Sequence, residues 1–96
     1  MALRFEWDDD KAAYNQRKHG VTFGEAGTAF ADPLAVIFDD EEHSQYEIRE
    51  ILIGHSVVRR LLVVSFTERG EDIVRIISAR EATKRERRDY EEGTRP

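Results

Sequence analysis

Lys18 and His19 ahead of Gly20, Arg60 at the opening of one apolar run and Arg80 at the close of another are the side chains best suited to chemistry on a phosphodiester. RNA is cut without a metal when a base draws the proton from a 2′-hydroxyl, cations carry the charge on the pentavalent phosphorus, and an acid protonates the leaving 5′-oxygen. An imidazole exchanges protons near neutrality, so His19 suits either proton-transfer role. Lys18 beside it can neutralise phosphate, or carry the proton if desolvated. Arg60 and Arg80 offer the planar fork that clamps phosphate through two bonds. Lys84 and Arg87 would extend the cationic surface along an RNA backbone, Arg75 would add a secondary contact, and Trp7 could stack on a base. This chemistry calls for no cofactor and no metal.

Each assignment has a plainer competitor. His19 before a glycine can simply end a helix, where the dipole favours a cation. Trp7 alternates with Phe5 and so reads equally as core. Arg75 interrupts an apolar strand and could pair with Glu50 or Glu68. His55 near a turn could be a second proton carrier or merely a solvated side chain. His43, among Asp39, Asp40, Glu41 and Glu42, raises a metal site, but ligands from a single loop seldom enclose a divalent ion.

These groups need elements to position them. Ile73, Val74, Ile76 and Ile77 leave almost no polar face, which suits a central strand covered on both sides. Ser78 and Glu81 have capping-box spacing, so the strand is expected to end near Ile77 and a helix to begin near Ala79. On that helix Arg80, Lys84 and Arg88 would share one face, with Arg87 beside them.

Upstream, Leu3 to Trp7 alternates as a first strand, and Asp8 caps a helix that Gly20 stops. Thr22 and Glu25 have the spacing of a second cap, and Asp32-Pro33 ends the short helix that follows. Leu34 to Phe38 reads as the second strand, the acidic segment Asp39 to Glu47 as a surface loop, and Ile48 to His55 as the third strand. Leu61 to Thr67 is the fourth, joined to the fifth through Glu68-Arg69-Gly70-Glu71, with Gly70 available for a positive φ. Gly93 and Pro96 mark a frayed end. The resulting order, β-α-α-β-β-β-β-α, describes an α+β domain in which two N-terminal helices and one C-terminal helix pack on a mainly antiparallel sheet.

At 96 residues, with no internal repeat or linker, positions 1–96 make one domain with one modest core. Without cysteine there is no disulfide framework or thiolate zinc site, and the charged start is neither a signal peptide nor a membrane span, so the cytoplasm is the expected compartment. The net charge of −5 argues against coating of nucleic acid and leaves room for a small basic site on an acidic body.

From Phe5 to about Glu92 the chain resembles the BrnT toxins of bacterial type II toxin–antitoxin systems, small ribonucleases similar in fold to the RelE group. The resemblance rests on Phe5-Glu6-Trp7-Asp8 with Lys11 and Asn15, on Arg17-Lys18-His19-Gly20-Val21-Thr22-Phe23, and on Phe30-Ala31-Asp32-Pro33. Further along, it rests on Arg49, Ile53-Gly54, Arg60-Leu61-Leu62-Val63-Val64, Thr67-Glu68-Arg69-Gly70, Arg75-Ile76-Ile77-Ser78-Ala79-Arg80 and Thr83-Lys84-Arg85-Glu86-Arg87-Arg88. It departs at Arg59, where the family often has glycine and a tight turn would need positive φ. The resemblance implies metal-independent endonucleolytic cleavage of mRNA. It also implies a cognate DNA-binding BrnA-like antitoxin of the ribbon-helix-helix type that covers the basic site. The alternative is a module of the same fold whose arginines hold nucleic acid or protein and cleave nothing.

Overall fold

The computed structural model describes residues 2–93, so the frayed end expected at Pro96 lies outside the described residues. Helix α1 (Asp9–His19) begins where the Asp8 carboxylate accepts from the Asp10 and Lys11 amides, at 2.9 and 3.1 Å, and ends at Gly20 with φ 68°. Thr22 opens α2 (Phe23–Thr28) by accepting from the Glu25 amide at 3.0 Å, and a 3-10 turn, Ala29–Ala31, continues it toward Asp32-Pro33. Both starts follow the rule that a short oxygen-bearing side chain satisfies the free amides of a first turn.

Five strands form one sheet: β1 (Arg4–Glu6), β2 (Val36–Asp39), β3 (Glu50–His55), β4 (Leu61–Gly70) and β5 (Ile73–Glu81). Their spatial order is β1-β5-β4-β3-β2. The sheet is mixed: β1 runs parallel to β5, and the other neighbours are antiparallel. The acidic loop carries a 3-10 turn, Glu41–His43, and helix α3 (Lys84–Gly93) follows β5.

Strand side chains alternate between faces, so register decides which residues meet. Leu52, Val64 and Ala79 are cross-strand partners, and with Leu62, Phe66, Val74 and Ile76 they form the core against Val21, Phe23 and Ala26 of the α1–α2 segment. Ile51, Ser65 and Ser78 make the matching row on the opposite face, with Val63 and Arg80 alongside. A β-bulge separates the pairings Ser65–Ser78 and Phe66–Ile76, leaving Ile77 without an opposite number. That extra residue flips the alternation, so Ala79 turns to the core and Arg80 to the other face.

The end of β5 departs from expectation. The strand continues to Glu81, and the operative cap is five residues later than Ser78. The Thr83 hydroxyl accepts from the Glu86 amide at 3.1 Å, and the Glu86 carboxylate accepts from the Thr83 amide at 2.9 Å. Both spacings fit a capping box, but pairing of Leu62, Val63 and Val64 with Glu81, Arg80 and Ala79 holds the first one extended. Arg80 is therefore a strand residue, and the cationic face expected for the helix begins only at Lys84.

The third helix also differs in its placement. Helices α1 and α2 lie on the core face, whereas α3 reaches the end of the other one. Its buried Tyr90 sits edge-on to His55, with centroids 5.8 Å apart, and donates to the Leu34 carbonyl at 3.1 Å. Leu61, opposite His55 in register, is fully buried there yet stands outside the main core cluster.

Two turns carry left-handed residues. In the loop after β4, Asp72 has φ 60°, so the positive φ expected of Gly70 is taken by a residue two places on. Arg59 has φ 66° in the loop before β4, so this turn holds a residue with a Cβ in the left-handed region. A left-handed conformation costs a non-glycine residue about 1–2 kcal/mol, and glycine's freer unfolded chain offsets roughly 0.4–1 of that. Arg59→Gly is expected to stabilise by about 0.5–1 kcal/mol, read as a melting temperature higher by roughly 4 °C.

Candidate active site

The face opposite the core is open between α3 and the acidic loop, and there it forms a groove of about 300 Å³. Ile51, Val63, Ser65, Ile77 and Ser78 make its floor, and His19, Asp40, His43, Arg49 and Arg80 stand around it. A floor of three aliphatic side chains and two serine hydroxyls, with imidazoles and guanidiniums around it, offers hydrogen bonds and positive charge suited to a phosphate ester.

His19 belongs to α1, on the other side of the sheet, and reaches the groove around the edge of β5. Strand β1 pairs only as far as Arg75, so the later edge of β5 has no neighbouring strand. Asn15 fills the gap. Its side-chain NH₂ donates to the Ala79 and Val21 carbonyls at 2.8 and 2.9 Å, and its carbonyl accepts from the Ala79 amide at 3.0 Å. One turn further on, His19 arrives beside Ala79 at the groove.

Arg80 is fixed by α3. Nη1 and Nη2 donate to the two Glu86 oxygens at 2.7 and 2.9 Å, and Nη1 also approaches the Glu81 carbonyl at 3.3 Å. The pair holds the Glu86 carboxyl down to about 2, chiefly through the Arg80 hydrogen bonds. Because the folded value lies below the ordinary 4.5, the pair's stability is fully present above pH 4.5 and lost as pH falls through about 2. Melting curves between pH 5 and pH 2 should fall less steeply for Glu86→Gln than for the parent protein.

Arg49 and His43 come from opposite ends of one pinned loop. The Asp40 amide donates to the Arg49 carbonyl and the Arg49 amide to Ser44 Oγ, both at 2.9 Å, while Ser44 Oγ donates to the Asp40 carbonyl at 2.6 Å. Arg49 Nε is buried without a hydrogen-bond partner among the described residues, since Glu47 lies 3.6 Å away, beyond bonding range. His43 Nδ1 is 2.9 and 3.1 Å from the two Asp40 oxygens. Among the described residues, no three His, Asp or Glu side chains converge as metal ligands would.

Of the residues expected to act, the groove brings together His19 and Arg80. Arg60 is elsewhere: its guanidinium is clamped on Glu25 through Nη2 and through Nε at 2.9 Å, and also donates to Glu81 at 3.1 Å and to the Gly20 carbonyl at 3.0 Å. Glu25 holds it well above the ordinary arginine range, and Arg60 in turn holds the Glu25 carboxyl below its own. The ends of β4 and β5 are neighbours, as antiparallel pairing requires, but Arg60 and Arg80 leave them toward opposite faces. Lys18 is exposed, its ammonium 5.7 Å from the Tyr14 ring centre, and does not line the groove.

Trp7 is half-buried and packs edge-on against core Phe23 at 6.0 Å. Arg75 donates to Glu6 on the neighbouring strand at 2.8 Å, so neither Glu50 nor Glu68 is its partner. Those two carboxyls face each other instead, and their hydrogen bond, with burial, pushes Glu50 up to about 7. Lys84 and Arg87 lie on α3 outside the groove lining. His55 lies against Tyr90, its Nδ1 3.4 Å from Asp32, also outside the groove. Arg49 and His43 are additions. In sequence, Arg49 stood out only through the resemblance, and His43 only as a metal ligand.

The chain is a small α+β protein with a mixed five-stranded sheet, and its groove carries the imidazole and guanidinium groups that a phosphodiester site uses. The family model described as "Ribonuclease toxin, BrnT, of type II toxin-antitoxin system" matches residues 7–86, and the chain belongs to that family. The crystal structure of the Brucella abortus ribonuclease toxin, BrnT, is similar in fold. It superposes with a TM-score of 0.68 at 24% identity, over 86% of this chain and 100% of that one. A search of curated proteins gave no match.

Proposed function

We propose that this protein is a metal-independent endoribonuclease that cuts mRNA and so inhibits translation, acting in the cytoplasm as one domain with a RelE-like fold. The observation that carries this reading is the convergence of His19, Arg49 and Arg80, from three separate parts of the chain, on one groove. Arg80 and Arg49 hold the phosphate, and His19 exchanges a proton with the reacting oxygens. Lys84 and Arg87, on the helix that follows Arg80, would carry the flanking backbone.

The partner is a cognate BrnA-like, DNA-binding antitoxin that covers this groove. Strand β2 is a sheet edge with Val36, Ile37 and Phe38 exposed, and it leads directly into the loop that holds Asp40 and His43. An apolar strand edge beside the site supports a protein partner on that side.

The test is incubation of the purified protein with RNA in excess chelator. Cleavage that leaves a 2′,3′-cyclic phosphate is expected, and co-expression with the antitoxin should relieve the growth arrest caused by the protein alone. A strict requirement for Mg²⁺, or tight RNA binding without cleavage, would overturn the mechanism.

A further inference from the structure

We propose that His43, oriented by Asp40, is the base of the cleavage step, and that it works across the groove from His19 with the phosphate held between them by Arg49 and Arg80. The inference rests on the ribonuclease reading and assigns the proton-transfer roles within it.

His43 and Asp40 are three residues apart on the 3-10 turn, and both line the groove. The Asp40 carboxylate, only 13% exposed, is the acceptor, so the bond at 2.9 Å places a hydrogen on His43 Nδ1. In the neutral ring this leaves the Nε2 lone pair free, which is the form a base needs. His43 is itself 59% exposed, so substrate can reach it. The loop that carries it also positions Arg49, whose side chain is 31% exposed beside the groove with Glu47 3.6 Å from its Nε. The terminal guanidinium nitrogens, rather than the buried Nε, are the ones that would meet a phosphate oxygen.

His19 is differently placed. Among the described residues His19 has no carboxylate partner, and it lines the groove from the last turn of α1, apart from the loop that holds His43. As the second imidazole at the site it is the group left to give a proton away. The step then balances. His43 Nε2 takes the proton of the 2′-hydroxyl, O2′ bonds to phosphorus, the bond from phosphorus to O5′ breaks, and O5′ takes a proton from His19. The products are a 2′,3′-cyclic phosphate and a 5′-hydroxyl, with Arg49 and Arg80 facing the charge on the equatorial oxygens.

The test uses the purified protein on a short RNA with a single scissile site. His43→Ala should keep its melting curve and KM but lose about 10²–10⁴-fold in kcat, with activity partly restored by added imidazole. Asp40→Asn should lose kcat and gain nothing from imidazole, because its own ring is present but wrongly held. A His43→Ala protein that cleaves as the parent does, while His19→Ala does not, would overturn this inference and leave the ribonuclease reading standing. Equal loss in KM and kcat without imidazole rescue would reduce His43 to a binding contact. Absence of cleavage by the parent protein would overturn both.

Discussion

Arg80→Ala is expected to lower kcat for RNA cleavage by about 10²–10³-fold, the largest catalytic loss of any arginine replacement in this chain. Glu86 occupies the Nη1–Nη2 end of Arg80, which fixes the guanidinium plane and leaves the Nε–Nη2 edge as the fork a phosphate can use. Its removal takes away a cation and leaves the Glu86 carboxylate beside the groove without its partner, where it would repel the RNA backbone. Glu86→Gln in the Arg80→Ala background should therefore recover part of the loss.

Arg80→Lys keeps the charge without the fork and should fall between the two. Arg60 provides the contrast. Arg60→Ala strands the mostly buried Glu25 carboxylate and should cost about 3 kcal/mol of stability, yet the protein that remains folded should cleave at close to the parental rate. Single-turnover cleavage alongside thermal melts separates the two cases. Normal cleavage by well-folded Arg80→Ala protein would mean that the groove is not where RNA reacts.

Asn15→Ala should be among the most destabilising single substitutions. Asn15 is 4% exposed, and its one side chain serves the Ala79 amide, the Ala79 carbonyl and the Val21 carbonyl. Alanine would leave all three buried groups unpaired, at about 1–3 kcal/mol for each one that water cannot reach. A loss of about 3–4 kcal/mol is expected, lowering the melting temperature by roughly 15 °C or more.

Asn15→Asp is the informative companion. It can still accept from the Ala79 amide but turns two attractive carbonyl contacts into repulsive ones, and so should be no more stable. Because His19 is one helical turn beyond this anchor, both variants should also lose cleavage well below their melting temperatures. A thermal shift within about 1 kcal/mol of parent would show that the β5 edge does not depend on this side chain.

Local signals in the chain were sound at the ends of the first two helices. Asp8, Thr22 and Gly20 bound their helices as their side chains or their lack of one dictate, and Arg59 took the left-handed conformation that its place in the turn demanded. The start of the last helix was misplaced because Ser78 and Thr83 each stand three residues before a glutamate. Only the neighbouring strand decides between them. His43 and Arg49 were underrated for a related reason: each lies in a polar loop without periodicity, and their convergence depends on Ser44 tying the two ends of that loop together.

The order of residues by itself determined which groups were available, where the first two helices begin, and that an apolar strand would deliver a guanidinium at its end. The tertiary structure alone decided where those side chains point. Side chains alternate along a strand, so one extra residue at Ile77 moves Arg80 from the core side to the groove, while the same two-residue period sends Arg60 the other way. A bulge is set by cross-strand hydrogen bonding between distant segments, and no pattern within β5 encodes it.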